Sequence, residues 1–352
     1  MKYPALVSFT DILPQLEQFD AIIDTRSPAE FAEDHLPGAI NCPVLNNEER
    51  QRIGTIYKQV NAFEAKKIGA VLVAKNIAHH IEALWLDQPR DWRPLVYCWR
   101  GGNRSGALAH ILAKIGWPAL QLDGGYKAYR QYVNASLAQP PGLSFKVLCG
   151  PTGSGKSRLL QVLAAQGAQV LDLERLAVHR GSVLGDLPST VQPSQKAFES
   201  GLWQSLRQFD PQRVVFVESE SKKIGNLRVP DALMEKMRGA ACITLALANV
   251  NRVALLMQDY QHFLAEPATL NAQLECLAYL HGHEKIKRWQ TLAMQDDMAA
   301  LADVLLREHY DPAYLRSIQR NFTQFSQAEA LQLADVSDAS FQQAAARLID
   351  HQ

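Results

Sequence analysis

The chain reads as two successive α/β domains with parallel sheets, the second continuing into a helical C-terminal extension. Three observations predict this. Short β-branched runs alternate with stretches of helical period, the pattern of a parallel sheet with crossover helices. The segment Gln139-Pro140-Pro141-Gly142 interrupts that alternation with two residues that cannot donate to a ladder and one free to turn. A new apolar strand, Phe145-Lys146-Val147-Leu148-Cys149, then runs straight into a glycine-rich loop. The length of 352 residues suits two domains at roughly 100–200 residues each. With 47% hydrophobic and 20% charged residues, the chain can bury a sizeable core.

The first domain is expected over residues 1–138. Phe19 to Asp24 is a β-branched apolar run ending in a polar residue, as a buried parallel strand does. Leu95-Val96-Tyr97 is a second strand and Ala119 to Leu122 a third, with a helix from Ala107 to Ile115 between them, stopped by Gly116. Residues 139–144 form the linker. The second domain occupies 145–250, with strands at 145–149, 169–171, 214–217 and 243–247. From about Val253 to Ile349 the periodicity is mostly helical, so 251–352 is expected as the helical C-terminal part of that domain.

Composition excludes several classes. No run of about 18 apolar residues is present, which argues against a membrane span. Met1-Lys2-Tyr3-Pro4 lacks the apolar stretch of a secretory signal. Five scattered cysteines without a CxxC pair argue against a disulfide framework or zinc site and fit a reducing cytoplasm. Net charge is zero overall but uneven: +1 over residues 1–140, +4 over 141–290 and −5 over 291–352. Composition alone would not suggest a nucleic-acid partner.

The first chemical constellation is Cys98-Trp99-Arg100-Gly101-Gly102-Asn103-Arg104-Ser105, between a strand and a helix. Backbone N–H groups of such a loop and the positive end of the helix dipole both stabilise anions, a thiolate included. Arg100 and Arg104 add full charges that lower a thiol pKa and can fork onto an oxyanion. Gly101 and Gly102 permit the curled backbone, and Ser105 completes the cradle. Cys98 is the expected nucleophile. Cys42, Cys149, Cys242 and Cys276 lack this setting and are expected to pack in cores.

Around this loop the chain resembles the rhodanese family. The resemblance rests on Asp24-Thr25-Arg26-Ser27, Glu30-Phe31, His35-Leu36-Pro37-Gly38-Ala39 and Leu122-Asp123-Gly124-Gly125-Tyr126-Lys127-Ala128-Tyr129. It covers roughly residues 5–135 and implies a sulfur or selenium carrier at Cys98. The Cys-x5-Arg loop is one residue longer than in ordinary sulfurtransferases of that family. In length it resembles the phosphatase and arsenate-reductase members.

The second constellation is Gly150-Pro151-Thr152-Gly153-Ser154-Gly155-Lys156-Ser157, a full G-x4-G-K-S pattern after a strand and before an apolar helix that starts near Arg158. The amides of Gly150, Thr152, Gly153, Ser154 and Gly155 would surround a diphosphate, Lys156 would reach its terminal oxygens, and the Ser157 hydroxyl could ligate Mg2+. Carboxylate candidates for a metal or substrate role are Asp172, Glu218 and Glu220. The pattern specifies a diphosphate or triphosphate, not ATP.

A rhodanese domain joined to a P-loop domain resembles the tRNA 2-selenouridine synthase family. Further stretches carry that resemblance: Gly54 to Gln59, Phe63 to Ala70, Asp172-Leu173-Glu174, His179-Arg180-Gly181-Ser182, Gln192 to Gln195, Glu218 to Gly225, and His309-Tyr310-Asp311-Pro312. It implies S-geranylation of a wobble 2-thiouridine with geranyl diphosphate, then exchange of the geranylthio group for selenium from selenophosphate. The implied partners are tRNA and, transiently, a selenophosphate-producing enzyme; no tightly bound cofactor and no membrane are expected. Candidate tRNA contacts are His179, Arg180, Lys222, Lys223 and Arg228, with the basic stretch Lys285, Lys287 and Arg288 beside Trp289 as a further surface. Two other readings remain: a Cys-x5-Arg phosphatase or arsenate reductase fused to a kinase-like P-loop domain, and a non-catalytic, nucleotide-gated RNA-binding adaptor.

Overall fold

A computed structural model describes residues 3–181, 190–260, 267–295 and 297–350. The chain divides into two compact units, Met1–Ser136 and Leu137–Gln352.

In the first unit, strands β1 (Ala5–Val7), β2 (Ala21–Asp24), β3 (Ala39–Asn41), β4 (Pro94–Tyr97) and β5 (Leu120–Leu122) form a parallel sheet in the order β1-β5-β4-β2-β3. The three strands read from the sequence are its centre; the two short outer strands were not expected. β4 is buried along its whole length, as a central strand covered on both faces must be. One face packs Ile23, Val96, Leu108, Leu112 and the tryptophans Trp85, Trp92 and Trp117 into a core. The helix at Asn103–Ile115 begins earlier than its apolar period and ends, as expected, at Gly116 in a left-handed conformation.

In the second unit, β6 (Phe145–Cys149), β7 (Gln169–Leu171) and β8 (Val215–Glu218) occur where apolar runs place them. β9 (Lys223–Ile224) and β10 (Leu227–Arg228) make a small antiparallel hairpin. β11 (Ala241–Ala246) and β12 (Glu329–Gln332) complete a five-stranded parallel sheet in the order β12-β11-β6-β8-β7. Among the described residues beyond Val253 the chain is mostly helical, with one strand, β12, which pairs in register with β11 from Ile243↔Glu329 to Ala246↔Gln332. Leu148, Leu159, Leu160, Phe216, Leu245 and Phe341 form the core between the sheet and the helices Lys156–Ala165 and Asp338–Asp350. A separate helical core gathers Leu274, Ile286, Trp289 and Leu301. Among the described residues no helix is long and apolar enough to cross a membrane. In both units the glycine-rich loops leave the carboxyl end of a central strand, where parallel α/β sheets bind ligands.

Candidate active site

In the first unit, Cys98 follows β4 and is 3% exposed. Its Sγ donates to the Arg100 carbonyl at 3.3 Å and accepts from the Ser105 hydroxyl at 3.3 Å. Gln121 on β5 donates from Nε2 to the Ser105 hydroxyl and to the Gly102 carbonyl, each at 3.2 Å. Gln121, Ser105 and Cys98 thus form a polar relay inside an otherwise apolar layer. Gly101 and Gly102 have φ of 54° and 74°, and Gly102 caps the helix Asn103–Ile115, so the loop ends at a helix N-terminus. The turn Gly124-Gly125 backs the loop: the Tyr126 and Lys127 amides donate to the Cys98 and Trp99 carbonyls. A Cβ on Gly125 would fall 2.4 Å from the Cys98 carbonyl oxygen, so the second glycine of that turn is a steric requirement.

Arg104 does not offer the free fork that the sequence assigned to it. Its Nη1 and Nη2 donate to the Glu30 carboxylate at 2.6 and 3.1 Å. Although burial opposes it, that guanidinium together with the Ser27 amide lowers the Glu30 pKa to about 2. The positive charge of the loop is therefore partly neutralised, and the loop arginine left exposed is Arg100. A cleft of about 340 Å3 opens beside Cys98, lined also by Leu45, Arg50, Ile53 and Arg100. Arg50 and Ile53 come from the helix Asn47–Gln59, inserted between β3 and β4. Arg50 brings a cation that no local motif signals. The motif Asp24-Thr25-Arg26 has a scaffolding part instead: Arg26 is wholly buried, paired with Asp24 at 2.6 Å, and donates to the Asp34 carbonyl.

In the second unit, the P-loop wraps the space after β6, with Gly150, Gly153 and Gly155 at φ of 155°, 75° and 88°. Lys156 Nζ donates to the Gly150 carbonyl at 2.7 Å, and the Gly150 amide donates to the Tyr314 hydroxyl at 2.6 Å. The Ser157 hydroxyl donates to Glu174 Oε2 at 2.6 Å, and the Glu174 amide donates to Glu218 Oε1 at 2.9 Å. Glu218 is buried, its pKa is raised well above the ordinary carboxyl value by burial and by Asp172 and Glu174, and its Oε2 has no hydrogen-bond partner among the described residues. Burial and Glu174 push Glu220 up to about 7. Asp172 caps the helix Leu173–Ala177 by accepting from the Arg175 amide and lines a cavity with Ser157 and Glu174.

Sequence reasoning passed over Glu174 and Arg252. Glu174 lies within Asp172-Leu173-Glu174, where only the first carboxylate was singled out. Arg252 is buried in a helical stretch, donates from Nε and Nη2 to the Thr152 carbonyl at 3.0 and 2.7 Å, and is held by both Asp311 oxygens. It clamps the P-loop to the segment His309-Tyr310-Asp311-Pro312.

The proposed RNA contacts disperse. His179 is 5% exposed, its Nδ1 accepts from the Gly181 amide, and it lines a cavity with Ser157, Glu174 and Arg180. Arg180 lies with its guanidinium 4.7 Å from the Tyr260 ring centroid and lines the P-loop cavity. Lys222 is ion-paired with Asp231, whereas Lys223 and Arg228 are exposed and opposite one another on the β9–β10 hairpin. Gln192 and Gln195 hold that hairpin by side-chain bonds to the Ile224 carbonyl and to the Arg228 amide and carbonyl. Ser182 lies outside the described residues. In the stretch 285–289, Trp289 is 0% exposed, so it cannot stack on a base, and Lys285 and Arg288 pair with Glu308. Of the four cysteines expected in cores, three are buried, but Cys276 is exposed in the turn between the helices Pro267–Glu275 and Ala278–His281.

Comparison with known proteins agrees with this two-unit arrangement. Residues 9–132 match the rhodanese-like domain family and residues 143–287 the tRNA 2-selenouridine synthase AAA domain family. A tRNA 2-selenouridine synthase from Nitrosomonas europaea is 36% identical over 244 residues, spanning 68% of this chain and 63% of that protein. One from Nitrosomonas eutropha is 37% identical over 247 residues, spanning 68% and 62%. The alignments thus span less than two thirds of these relatives' length. Among solved structures, the N-terminal domain of a Clostridium difficile 630 protein described as ATP/GTP binding is 34% identical, covering 37% of this chain and 98% of that one, with a TM-score of 0.32.

Proposed function

Because the chain belongs to the tRNA 2-selenouridine synthase family, we propose that it converts a wobble 2-thiouridine of tRNA to 2-selenouridine through an S-geranyl intermediate. The observation that carries this reading is the presence, on one chain, of a buried thiol in a glycine-rich loop that ends at a helix N-terminus and of a separate P-loop with its lysine. In the first half, the thiouridine sulfur attacks C1 of geranyl diphosphate. The C1–O bond breaks with its electron pair leaving on the diphosphate, and the base releases its N3 proton. The charge that grows on the leaving oxygens is what the P-loop amides, Lys156 and Arg180 stabilise. Lys156 exchanges its contact with the Gly150 carbonyl for the diphosphate.

Ser157 and Glu174 present hard oxygens 2.6 Å apart, a donor set that suits Mg2+. No group of three or more His, Cys, Asp or Glu side chains among the described residues is arranged to hold a metal. Ser157 and Glu174 would hold a Mg2+ ion, which would supply charge neutralisation at the diphosphate. In the second half, the selenium of selenophosphate attacks C2 of the base, the C2–S bond breaks, and the geranylthio group leaves as a thiol with the selenol proton. Water then cleaves the Se–P bond, releasing inorganic phosphate and leaving 2-selenouridine. Cys98 serves this half, with Arg100 and Arg50 drawing the anionic donor into the cleft. Lys223 and Arg228, exposed on their hairpin, are the tRNA contacts this reading retains.

Mass spectrometry of nucleosides from tRNA incubated with the protein, geranyl diphosphate and selenophosphate tests the proposal. Cys98→Ala is expected to abolish 2-selenouridine while 2-thiouridine or its geranylated form persists. Lys156→Ala is expected to lose geranylation. Unchanged selenouridine in the first variant, or an unchanged geranyl-transfer rate in the second, refutes the assigned role. Hydrolysis of a generic aryl phosphate through Cys98 would favour the phosphatase reading instead.

A further inference from the structure

Next to the P-loop, within the second unit, lies an apolar pocket of about 80 Å3. Its wall is built by Leu256 and Met257 of the helix Asn249–Asp259, Leu270, and Leu301, Ala302 and Leu305 of the helix Met298–Leu305. The pocket adjoins the anion cradle: Thr152, Leu256, Tyr260 and Tyr310 line both cavities. Leu256 is in van der Waals range of the loop itself: a Cβ on Gly153 would sit 3.1 Å from its Cγ. A ligand held by its phosphates on the P-loop therefore meets hydrocarbon immediately beyond them.

We infer that this pocket is the subsite for the isoprenoid chain of a prenyl diphosphate, and that it sets the accepted chain length. The inference rests on the prenyl-transfer reading above and adds where the chain goes. A nucleobase does not suit the pocket. Among the described residues of the lining, the polar side-chain atoms are the hydroxyls of Thr152, Tyr260 and Tyr310, with no carboxylate, amide or cationic side chain. The edge donors and acceptors of a buried base would be left facing leucine and methionine, which costs binding. A branched hydrocarbon has no such groups and gains from every methylene removed from water.

Titration of the full chain with inorganic pyrophosphate, dimethylallyl diphosphate, geranyl diphosphate and ATP decides the matter. The ten-carbon chain is expected to bind roughly 100-fold tighter than the five-carbon chain, from the apolar area it buries. Ala302→Phe, which fills the pocket, is expected to reduce that preference to a few-fold and to leave pyrophosphate affinity unchanged. Should Ala302→Phe lose pyrophosphate binding and so prove misfolded, Met257→Asn on the half-buried wall takes its place. If the wild type prefers the longer chain and a pyrophosphate-binding variant keeps that preference, the subsite is wrong while the prenyl reading stands. A wild type with no chain-length preference overturns both. ATP binding tighter than geranyl diphosphate, weakened by the same variant, would make the pocket a nucleobase site and overturn the inference.

Discussion

At the residue scale, the charge of the cysteine loop is set by a side chain far away in sequence. Glu30 holds Arg104 bidentately, so the loop does not present two free guanidinium groups to an incoming anion. A carboxylate whose pKa falls on folding contributes stability above its unfolded value, here near 4.5, and loses it as pH drops toward the folded value of about 2. The Glu30 side chain is 24% exposed, so screening limits the contribution to about 1 kcal/mol. We expect wild-type protein to lose this increment between pH 4.5 and 2 in acid denaturation, and Glu30→Gln to show a flatter curve across that window. Identical curves would show that the pair contributes nothing. The same substitution frees Arg104 for the cleft, so anion binding beside Cys98 should strengthen while stability at neutral pH falls.

At the element scale, the P-loop takes its shape from helices that follow it by about a hundred residues and more. Arg252, on the helix Asn249–Asp259, bonds twice to the Thr152 carbonyl and twice to Asp311, at the start of the helix Asp311–Asn321. Removing a buried, fully bonded guanidinium strands its partner charge, at a cost of about 3 kcal/mol. Arg252→Met, which retains most of the volume, should therefore lower the unfolding free energy by about that amount and weaken pyrophosphate binding at least about tenfold through a loosened loop. Chemical denaturation and calorimetric titration read the two effects separately. Loss of stability with unaltered binding would mean that the clamp supports the helices but not the loop. The β9–β10 hairpin shows the same logic on a smaller scale: Gln192 and Gln195 satisfy its backbone from outside, so the resembling stretches 192–195 and 218–225 are one structural unit.

At the scale of the whole molecule, each compact unit has its own parallel sheet and its own apolar core. Units with separate cores are expected to unfold in separate transitions. Pyrophosphate at about 100 times its dissociation constant should raise one transition by about 2.7 kcal/mol, the unit that holds the P-loop, and leave the other in place. Differential scanning calorimetry of the full chain with and without pyrophosphate tests this. A single transition that moves as a whole would show that the two units are energetically one. Charge enters at this scale too. With zero net charge and only residues 141–290 leaning basic, the tRNA affinity proposed above would come from a few placed cations such as Lys223 and Arg228 rather than from a general field.

Features confined to one short window could be read from the residues alone. Both glycine-rich loops, the strands before them, the stop at Gly116 and the Pro-Pro-Gly break depend on backbone freedom and apolar period within about eight residues, and they occur where the chain places them. The outer strands β1 and β3 are three residues each, too short to show a period. Glu329-Ala330-Leu331-Gln332 is made of good helix formers and is extended because β11 offers its edge, a tertiary override of local preference. Partner choice was equally hidden: Glu30 on Arg104, Gln121 on Ser105, Tyr314 on Gly150 and Arg252 on Thr152 join residues 16 to 164 positions apart. Burial took Trp289 out of reach of RNA and left Cys276 exposed. Local sequence determined which chemical groups each loop carries. Only the folded chain decided which of them remain available, because availability depends on neighbours that folding brings from elsewhere in the sequence.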